Sequence, residues 1–138
     1  MFPPNSKILI VDDMPTIVDL LKIQLKALGF KNVSEAYDGE EALNFMIQHT
    51  TARSPVNLII SDWNMPKMTG LDFLKRVRSS PEWNNIPFIL LTSESERDQV
   101  TEAVLAGVTN YIVKPFTSKL LEEKLKSSWL KNNQARKK

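Results

Sequence analysis

Short apolar stretches rich in β-branched residues alternate with longer segments of helical periodicity five times along the chain. Several of these stretches are continuous rather than alternating, which is typical of strands covered on both faces of a parallel sheet. The predicted strands are Ile8–Val11, Val33–Ala36, Leu58–Ser61, Phe88–Leu91 and Tyr111–Val113. Regular β-α alternation with short connections predicts an α/β domain with a mostly parallel sheet and helices on both faces.

Segments of helical periodicity connect these strands, and several begin at residues that commonly cap helices. In the first segment, leucine and isoleucine recur at three- and four-residue intervals, Pro15 suits the first helical position, and Gly29 ends the helix. Side chains that can cap the later helices belong to Asp38, Thr69, Ser95 and Thr117. The buried stripe of the last helix is predicted to consist of Leu120, Leu121, Leu125 and Trp129.

Length and composition bound the class of protein. With 138 residues, 42% of them hydrophobic and 25% charged, the chain is typical of one globular domain. The absence of cysteine excludes disulfides and thiolate metal sites. No apolar stretch approaches the ~20 residues of a membrane helix, and Met1–Ser6 lacks the pattern of a signal peptide, so we expect a cytoplasmic protein. A net charge of +2 without a basic stripe argues against nucleic-acid binding.

The expected domain boundaries follow from where the periodic patterns begin and end. Residues 1–6 are predicted to be a disordered tail, residues 7–130 the folded domain, and residues 131–138 a basic, solvated tail. The connection His49–Pro55 before the third strand is predicted to be a loop, in which His49 is solvated rather than a ligand.

Polar residues follow four of the five predicted strands. In open parallel sheets, ligands bind outside the carboxyl ends of the strands. Asp12 and Asp13 follow the first strand and Asp62 the third, while Thr92 and Lys114 follow the fourth and fifth. Three carboxylates, one hydroxyl and one ammonium are therefore predicted to meet at one edge of the sheet.

Three clustered carboxylates repel one another unless a cation lies between them. Mg²⁺ is the expected ion, with Mn²⁺ as an alternative, because both accept carboxylate oxygens and leave room for phosphate. An aspartate beside such an ion can act as a nucleophile toward phosphorus, and Lys114 and Thr92 can neutralise charge on the phosphoryl oxygens. An acidic pair by itself is more often part of a solvated turn, and a residue such as Lys114 by itself is more often a surface lysine. Because these residues all follow strand ends at the same edge of the sheet, a phosphoryl-transfer site is favoured.

This order of residues resembles the receiver domain of two-component response regulators over Lys7 to Trp129. The stretches 61–66 and 113–125, which read SDWNMP and VKPFTSKLLEEKL, are similar to CheY-like chemotaxis regulators within that family. The resemblance implies a flavodoxin-like, doubly wound five-stranded parallel sheet in the order 2-1-3-4-5 with five helices.

The resemblance also implies roles at the carboxylate edge. Asp62 would accept a phosphoryl group from a histidine kinase. Asp13 and Asp62 would bind Mg²⁺ through their carboxylates, Asn64 through its backbone carbonyl, and Asp12 through a water molecule. The Lys114–Pro115 peptide bond would be cis.

Further implied roles concern signal output and decay. Thr92 and Tyr111 resemble the switch pair that remodels the face of helix 4, strand 5 and helix 5 after phosphorylation. Asn64 and Glu94 lie two positions beyond the acceptor and the switch threonine, where the family tunes loss of the phosphoryl group. Trp63 is expected to be partly exposed beside the acceptor.

The implied partners are a histidine kinase, a flagellar motor switch protein or another effector, and a phosphatase. The chain itself is expected to be a monomer that promotes only its own phosphorylation and dephosphorylation. Neither a membrane nor a nucleic acid is an expected partner. Arg97 and Lys124 would give the output face a basic edge, which the nearby acidic residues Glu96, Asp98 and Glu102 dilute. One alternative is a single-domain relay outside chemotaxis. Another is an aspartyl-nucleophile phosphatase. Such enzymes carry a second Asp two positions after the nucleophile that follows the first strand, but in this chain the residue two positions after Asp12 is Met14.

Overall fold

The structure is a computed structural model that describes residues 1–93 and 99–136. Its strands are β1 (Lys7–Val11), β2 (Asn32–Ala36), β3 (Leu58–Asp62), β4 (Phe88–Thr92) and β5 (Asn110–Val113). Its helices are α1 (Pro15–Ala27), α2 (Gly39–Thr51), α3 (Gly70–Ser79), α4 (Val100–Leu105) and α5 (Ser118–Arg136). The strands form one parallel sheet in the order β2-β1-β3-β4-β5. The predicted fold and strand order are confirmed, and each strand is one residue longer than the sequence pattern indicates.

Alternate residues of each central strand face opposite layers of helices. In β1, Leu9 and Val11 contact a core that α2, α3 and α4 complete, whereas Ile8 and Ile10 contact a second core formed with α1 and α5. All four side chains are fully buried. Burial on both faces explains why these strands read as continuous apolar stretches.

The helix ends are fixed largely as predicted. Asp38 accepts a hydrogen bond from the Glu41 backbone N–H at 2.7 Å, and Thr69 and Thr117 cap α3 and α5 in the same way. Pro15 is the first residue of α1, and Gly29 follows its end at a φ of +100°, a conformation that favours glycine. The predicted cap Ser95 lies outside the described residues.

Both termini differ from the predicted tails. Phe2 is only 4% exposed, and its ring packs edge-on against Trp129 with the centroids 5.1 Å apart, so part of the N-terminal segment belongs to the core. Burial of the large apolar surface of the Phe2 ring stabilises this packed position over a solvated tail. At the other end, α5 continues through Arg136, past the predicted boundary at residue 130. No helix in the described ranges combines the length and hydrophobicity needed to cross a bilayer.

The predicted solvated position of His49 is wrong. His49 lies in the last turn of α2, is half-buried, and stacks on Phe45 with the ring centroids 3.9 Å apart. Its Nδ1 accepts a hydrogen bond from Lys7 Nζ at 2.8 Å, and the same ammonium donates to Ser54 Oγ at 2.6 Å. The connection before β3 therefore folds back over the start of β1.

Candidate functional site

The three predicted acids lie together at the carboxyl edge of the sheet. Asp12 and Asp13 follow β1, and Asp62 is the last residue of β3. One carboxylate oxygen from each of the three lies within 4.8 Å of the other two. Asp12 is fully buried and Asp62 is 7% exposed, whereas Asp13 is exposed. The acids converge because neighbouring parallel strands end at the same edge.

Lys114, which follows β5, reaches across the sheet edge to two of these acids. Its Nζ lies 2.9 Å from Asp62 Oδ1 and 3.3 Å from Asp12 Oδ2. Backbone groups also hold these carboxylates: the Met14 N–H donates to Asp12 Oδ1 and the Trp63 N–H donates to Asp62 Oδ1, each at 2.9 Å. The Asp62 carboxylate is therefore fixed by two donors before any ligand arrives.

Burial dominates the electrostatics of the site. It raises the pKa of Asp62 to about 6, and repulsion from Asp12 adds to the rise while contact with Lys114 opposes it. Burial also raises the pKa of Asp12 above its ordinary value, against the Met14 N–H and Lys114. For Lys114, burial acts to lower the pKa, but contacts with Asp62 and Asp12 outweigh it and leave that pKa raised. One ammonium does not fully compensate these carboxylates.

The donor set of the cluster fits a hard divalent cation. Hard cations bind carboxylate oxygens at about 2–2.6 Å, so oxygens sharing one ion lie within roughly 5 Å of one another. The oxygens of Asp12, Asp13 and Asp62 meet that limit. The exposed Asp13 side chain leaves the cluster open to solvent on one side. This acidic pocket could therefore hold a metal ion and still admit a second ligand.

The loop after β3 is held tightly against the end of that strand. The Gly70 N–H donates to the Trp63 carbonyl at 2.7 Å, closing the loop between β3 and α3. A Cβ on Gly70 would lie 2.0 Å from the Asp62 carbonyl oxygen, so only glycine fits at this approach. Trp63 is 5% exposed, and the prediction of a partly exposed indole is therefore wrong. The ring belongs to the core formed with α2, α3 and α4.

Comparisons with known proteins agree with this geometry. The family model for the response regulator receiver domain matches residues 8–126. The chain belongs to the response regulator receiver family. It is 45% identical over 121 residues to the chemotaxis protein CheY-3 of Vibrio cholerae, covering 88% of this chain and 89% of that protein. It is 44% identical over 119 residues to the chemotaxis protein CheY of Pseudomonas aeruginosa, covering 86% and 92%.

Solved structures of receiver proteins have the same fold. The chemotaxis response regulator CheY4 of Vibrio cholerae superimposes with a TM-score of 0.78 at 34% identity, covering 90% of this chain and 98% of that chain. A response regulator from Chloroflexus aurantiacus gives a TM-score of 0.81 at 29% identity, covering 90% and 97%. Members of this family are signalling regulators rather than enzymes that turn over a separate substrate.

Thr92 and Tyr111, the predicted switch pair, lie on neighbouring strands in different environments. Thr92 ends β4, is fully buried, and has its Oγ1 3.5 Å from the Ile112 carbonyl, a distance too long for a strong hydrogen bond. Tyr111 is half-buried on β5, with Lys124 Nζ 4.9 Å from its ring centroid. In the parallel register Tyr111 pairs with Leu90, two positions before Thr92.

The remaining predicted site residues are Asn64 and Glu94. Asn64 is exposed beyond the end of β3. Glu94, like Arg97, lies outside the described residues. The Lys114–Pro115 peptide bond is cis, as the family resemblance implies.

Sequence reasoning missed two features of the site. The backbone N–H groups of Met14 and Trp63 hold the carboxylates, but a backbone donor has no signature in the sequence. The second feature is the requirement for glycine at position 70, which the close approach of the Asp62 carbonyl oxygen imposes. The signal that could have revealed it is a glycine at the start of a predicted helix, where a better helix former would otherwise be expected.

Proposed function

We propose that this chain is a phosphoacceptor response regulator in which Asp62 receives a phosphoryl group from a histidine kinase. The observation that carries the proposal is the contact of Lys114 Nζ with Asp62 Oδ1 inside a cluster of three carboxylates. Such a cluster concentrates negative charge where an anionic phosphoryl group must arrive. The arrangement therefore favours chemistry in which a cation and an ammonium share that charge.

In the proposed step, an Asp62 carboxylate oxygen attacks phosphorus and forms an O–P bond while the P–N bond to the kinase histidine breaks. The leaving imidazole keeps the bonding electron pair and takes a proton from solvent. Lys114 pairs with negative charge on the phosphoryl oxygens, and the Thr92 hydroxyl donates a hydrogen bond to them. A bound Mg²⁺, for which Mn²⁺ can substitute, would supply further positive charge to the same oxygens. Asp13, Asp62 and the Asn64 carbonyl would hold it directly, and Asp12 through a water molecule.

The acyl phosphate is the signal, and the proposed switch residues change position in response to it. The hydroxyl of Thr92 is weakly bonded, so its movement toward a phosphoryl group costs little. Tyr111 then repacks into the vacated space and changes the face of α4, β5 and α5. Asn64 and Glu94 tune how fast water removes the phosphoryl group, so the only reactions the chain promotes are its own phosphorylation and dephosphorylation.

Chemotaxis is the pathway we propose, because the relatives named above are chemotaxis proteins. The output partner would then be a flagellar motor switch protein, the protein would act as a cytoplasmic monomer, and a phosphatase would assist decay. A single-domain relay or an effector regulator outside chemotaxis is the second candidate. Pull-down with a motor-switch peptide, with and without a phosphate mimic such as beryllofluoride, separates the two. Binding that is absent, or equal in both states, would remove the motor function.

The central test is incubation with Mg²⁺ and acetyl phosphate or phosphoramidate, followed by intact mass measurement. We expect a gain of one phosphoryl group in the wild type and in Asp72→Asn, which removes an exposed carboxylate elsewhere. We expect no gain in Asp62→Asn. Phosphorylation that persists in Asp62→Asn, or turnover of phosphate esters that only Asp12→Asn abolishes, would contradict the proposal and favour the phosphatase.

A further inference from the structure

A second surface lies on the outer side of α1, at the end of the helix remote from the carboxylates. Leu20 and Ile23 are 39% and 67% exposed, and residues three positions apart share one face of a helix. Met14, next to the acidic pocket, precedes the first turn, whereas Lys26 lies in the last. At 1.5 Å per residue, the two ends are about 18 Å apart. This surface is therefore separate from the phosphoacceptor site.

Ile23 also lines a groove of about 530 Å³ between the end of α1 and β2. Its apolar lining comes from Ile23, Phe30 and Val33, and its basic lining from Lys22, Lys26 and Lys31. Gly29, at a φ of +100°, lies between the helix and the strand and also lines the groove. We call this feature the α1–β2 groove. Its combination of an exposed aliphatic side chain, a concave apolar lining and lysines is typical of a peptide-binding surface.

The charge of the α1–β2 groove is not balanced within the described part of the chain. Lys22 Nζ pairs with Glu35 Oε2 at 3.1 Å. Lys26 and Lys31 are exposed and form no ion pair with any described residue. Two positive charges are therefore left beside the apolar lining. A segment that carries Asp or Glu next to aliphatic side chains would satisfy both features.

We infer that the α1–β2 groove, formed by Ile23, Phe30 and Val33 with Lys26 and Lys31, binds an acidic amphipathic helix of a partner protein. A helix can insert aliphatic side chains between α1 and β2 while its acidic residues contact the lysines. A lipid bilayer is a poorer fit because a broad surface does not reach the lining of a concave groove. A second copy of the chain is also disfavoured, because each copy carries a net charge of +2.

The test titrates the isotope-labelled full chain with a synthetic helical peptide of about 18 residues, or five turns. Its leucines stand at positions i, i+3, i+4 and i+7 and its other positions are glutamate, and the matched control peptide carries lysine in place of glutamate. We expect the acidic peptide to shift the amide resonances of residues 20–33 saturably and to bind at least about tenfold more tightly than the basic peptide.

Variants of the chain locate the binding. Ile23→Ser and the double variant Lys26→Glu/Lys31→Glu should each weaken binding of the acidic peptide about tenfold. Both sites are exposed, so neither change is expected to unfold the protein, and dispersed amide resonances check this. Lys75→Glu, a charge reversal at an exposed position on α3, should leave the affinity unchanged.

Four outcomes would overturn the inference. They are no saturable shift up to about 1 mM peptide, equal affinity for both peptides, shifts confined to other surfaces, and an unaltered affinity in the groove variants. Two parallel measurements test the other occupants of the groove. Binding of the chain to vesicles containing phosphatidylglycerol tests a membrane, and sedimentation of the chain alone tests self-association. Vesicle binding or self-association that Ile23→Ser abolishes would assign the groove to a membrane or to a second copy instead.

Discussion

Replacing Asp62 with asparagine is expected to make the metal-free protein progressively more stable than the wild type as the pH rises from 5 to 8. The reason is the raised pKa of Asp62, about 6 against an ordinary value of 3.8. The folded wild type binds a proton at this carboxyl more tightly than the unfolded chain does. The associated stability is fully present below the ordinary pKa and is lost as the pH rises through about 6.

The magnitude follows from those two pKa values. Between pH 5 and pH 8 the linkage relation gives a relative loss of about 1.4 kcal/mol for the wild type. Solvent at the open side of the pocket screens part of this, so we expect a change of about 1 kcal/mol. Asparagine keeps an oxygen that can accept from Lys114 and does not titrate, so the pH dependence of the difference isolates the ionisation of Asp62.

Urea unfolding of both proteins at several pH values measures this difference directly. Asp19→Asn, which removes an exposed carboxylate on α1, is the matched control and should show no comparable trend. A stability difference between Asp62→Asn and the wild type that stays constant, or that shrinks toward pH 8, would refute the reasoning, because Lys114 would then outweigh burial. Addition of Mg²⁺ at one hundred times its dissociation constant should stabilise the wild type by about 2.7 kcal/mol and the variant by less.

Two further changes test the packing around the site and the start of β1. Gly70→Ala places a Cβ 2.0 Å from the Asp62 carbonyl oxygen, so we expect the free energy of unfolding to fall by about 3 kcal/mol and phosphorylation to slow. Gly29→Ala is the control, because its Cβ would have nothing within 4 Å. Its free energy of unfolding should fall by only about 1–2 kcal/mol, and its phosphorylation rate should not change. His49→Asn keeps an acceptor for Lys7 but cannot be protonated. Burial and then the Lys7 charge lower the pKa of His49, so the wild type should lose stability as the pH falls below about 6.5, and a variant with the same acid sensitivity would contradict this.

The architecture was readable from the sequence because each level of the pattern agrees with the next. Continuous apolar strands predict burial on both faces, and Asp38, Thr69 and Thr117 cap helices where the periodicity begins. The convergence of Asp12 and Asp62 then follows from parallel topology, provided that β1 and β3 are neighbours in the sheet. The strand order was available only by resemblance, because hydrophobic periodicity does not specify which strands are neighbours.

The features that were predicted wrongly depend on contacts between distant segments. Phe2 is buried because Trp129, more than a hundred residues later, offers an aromatic surface. His49 is held in place because its Nδ1 accepts a hydrogen bond from Lys7 Nζ on β1. Trp63 is buried in the core formed with α2, α3 and α4, whose side chains come from segments far apart in the sequence. No local pattern encodes these contacts.

The energetics of the acidic pocket oppose those of the core that surrounds it. Fully buried side chains on both faces of β1 and β3 stabilise the fold, and the same strands hold Asp12 and Asp62 where burial disfavours their charged forms. Lys114 contacts both acids and still does not restore an ordinary pKa to either. A site with such an excess of negative charge is poised to gain from any ligand that brings positive charge. The stability of the pocket therefore depends on what is bound there, as the proposed phosphorylation switch requires.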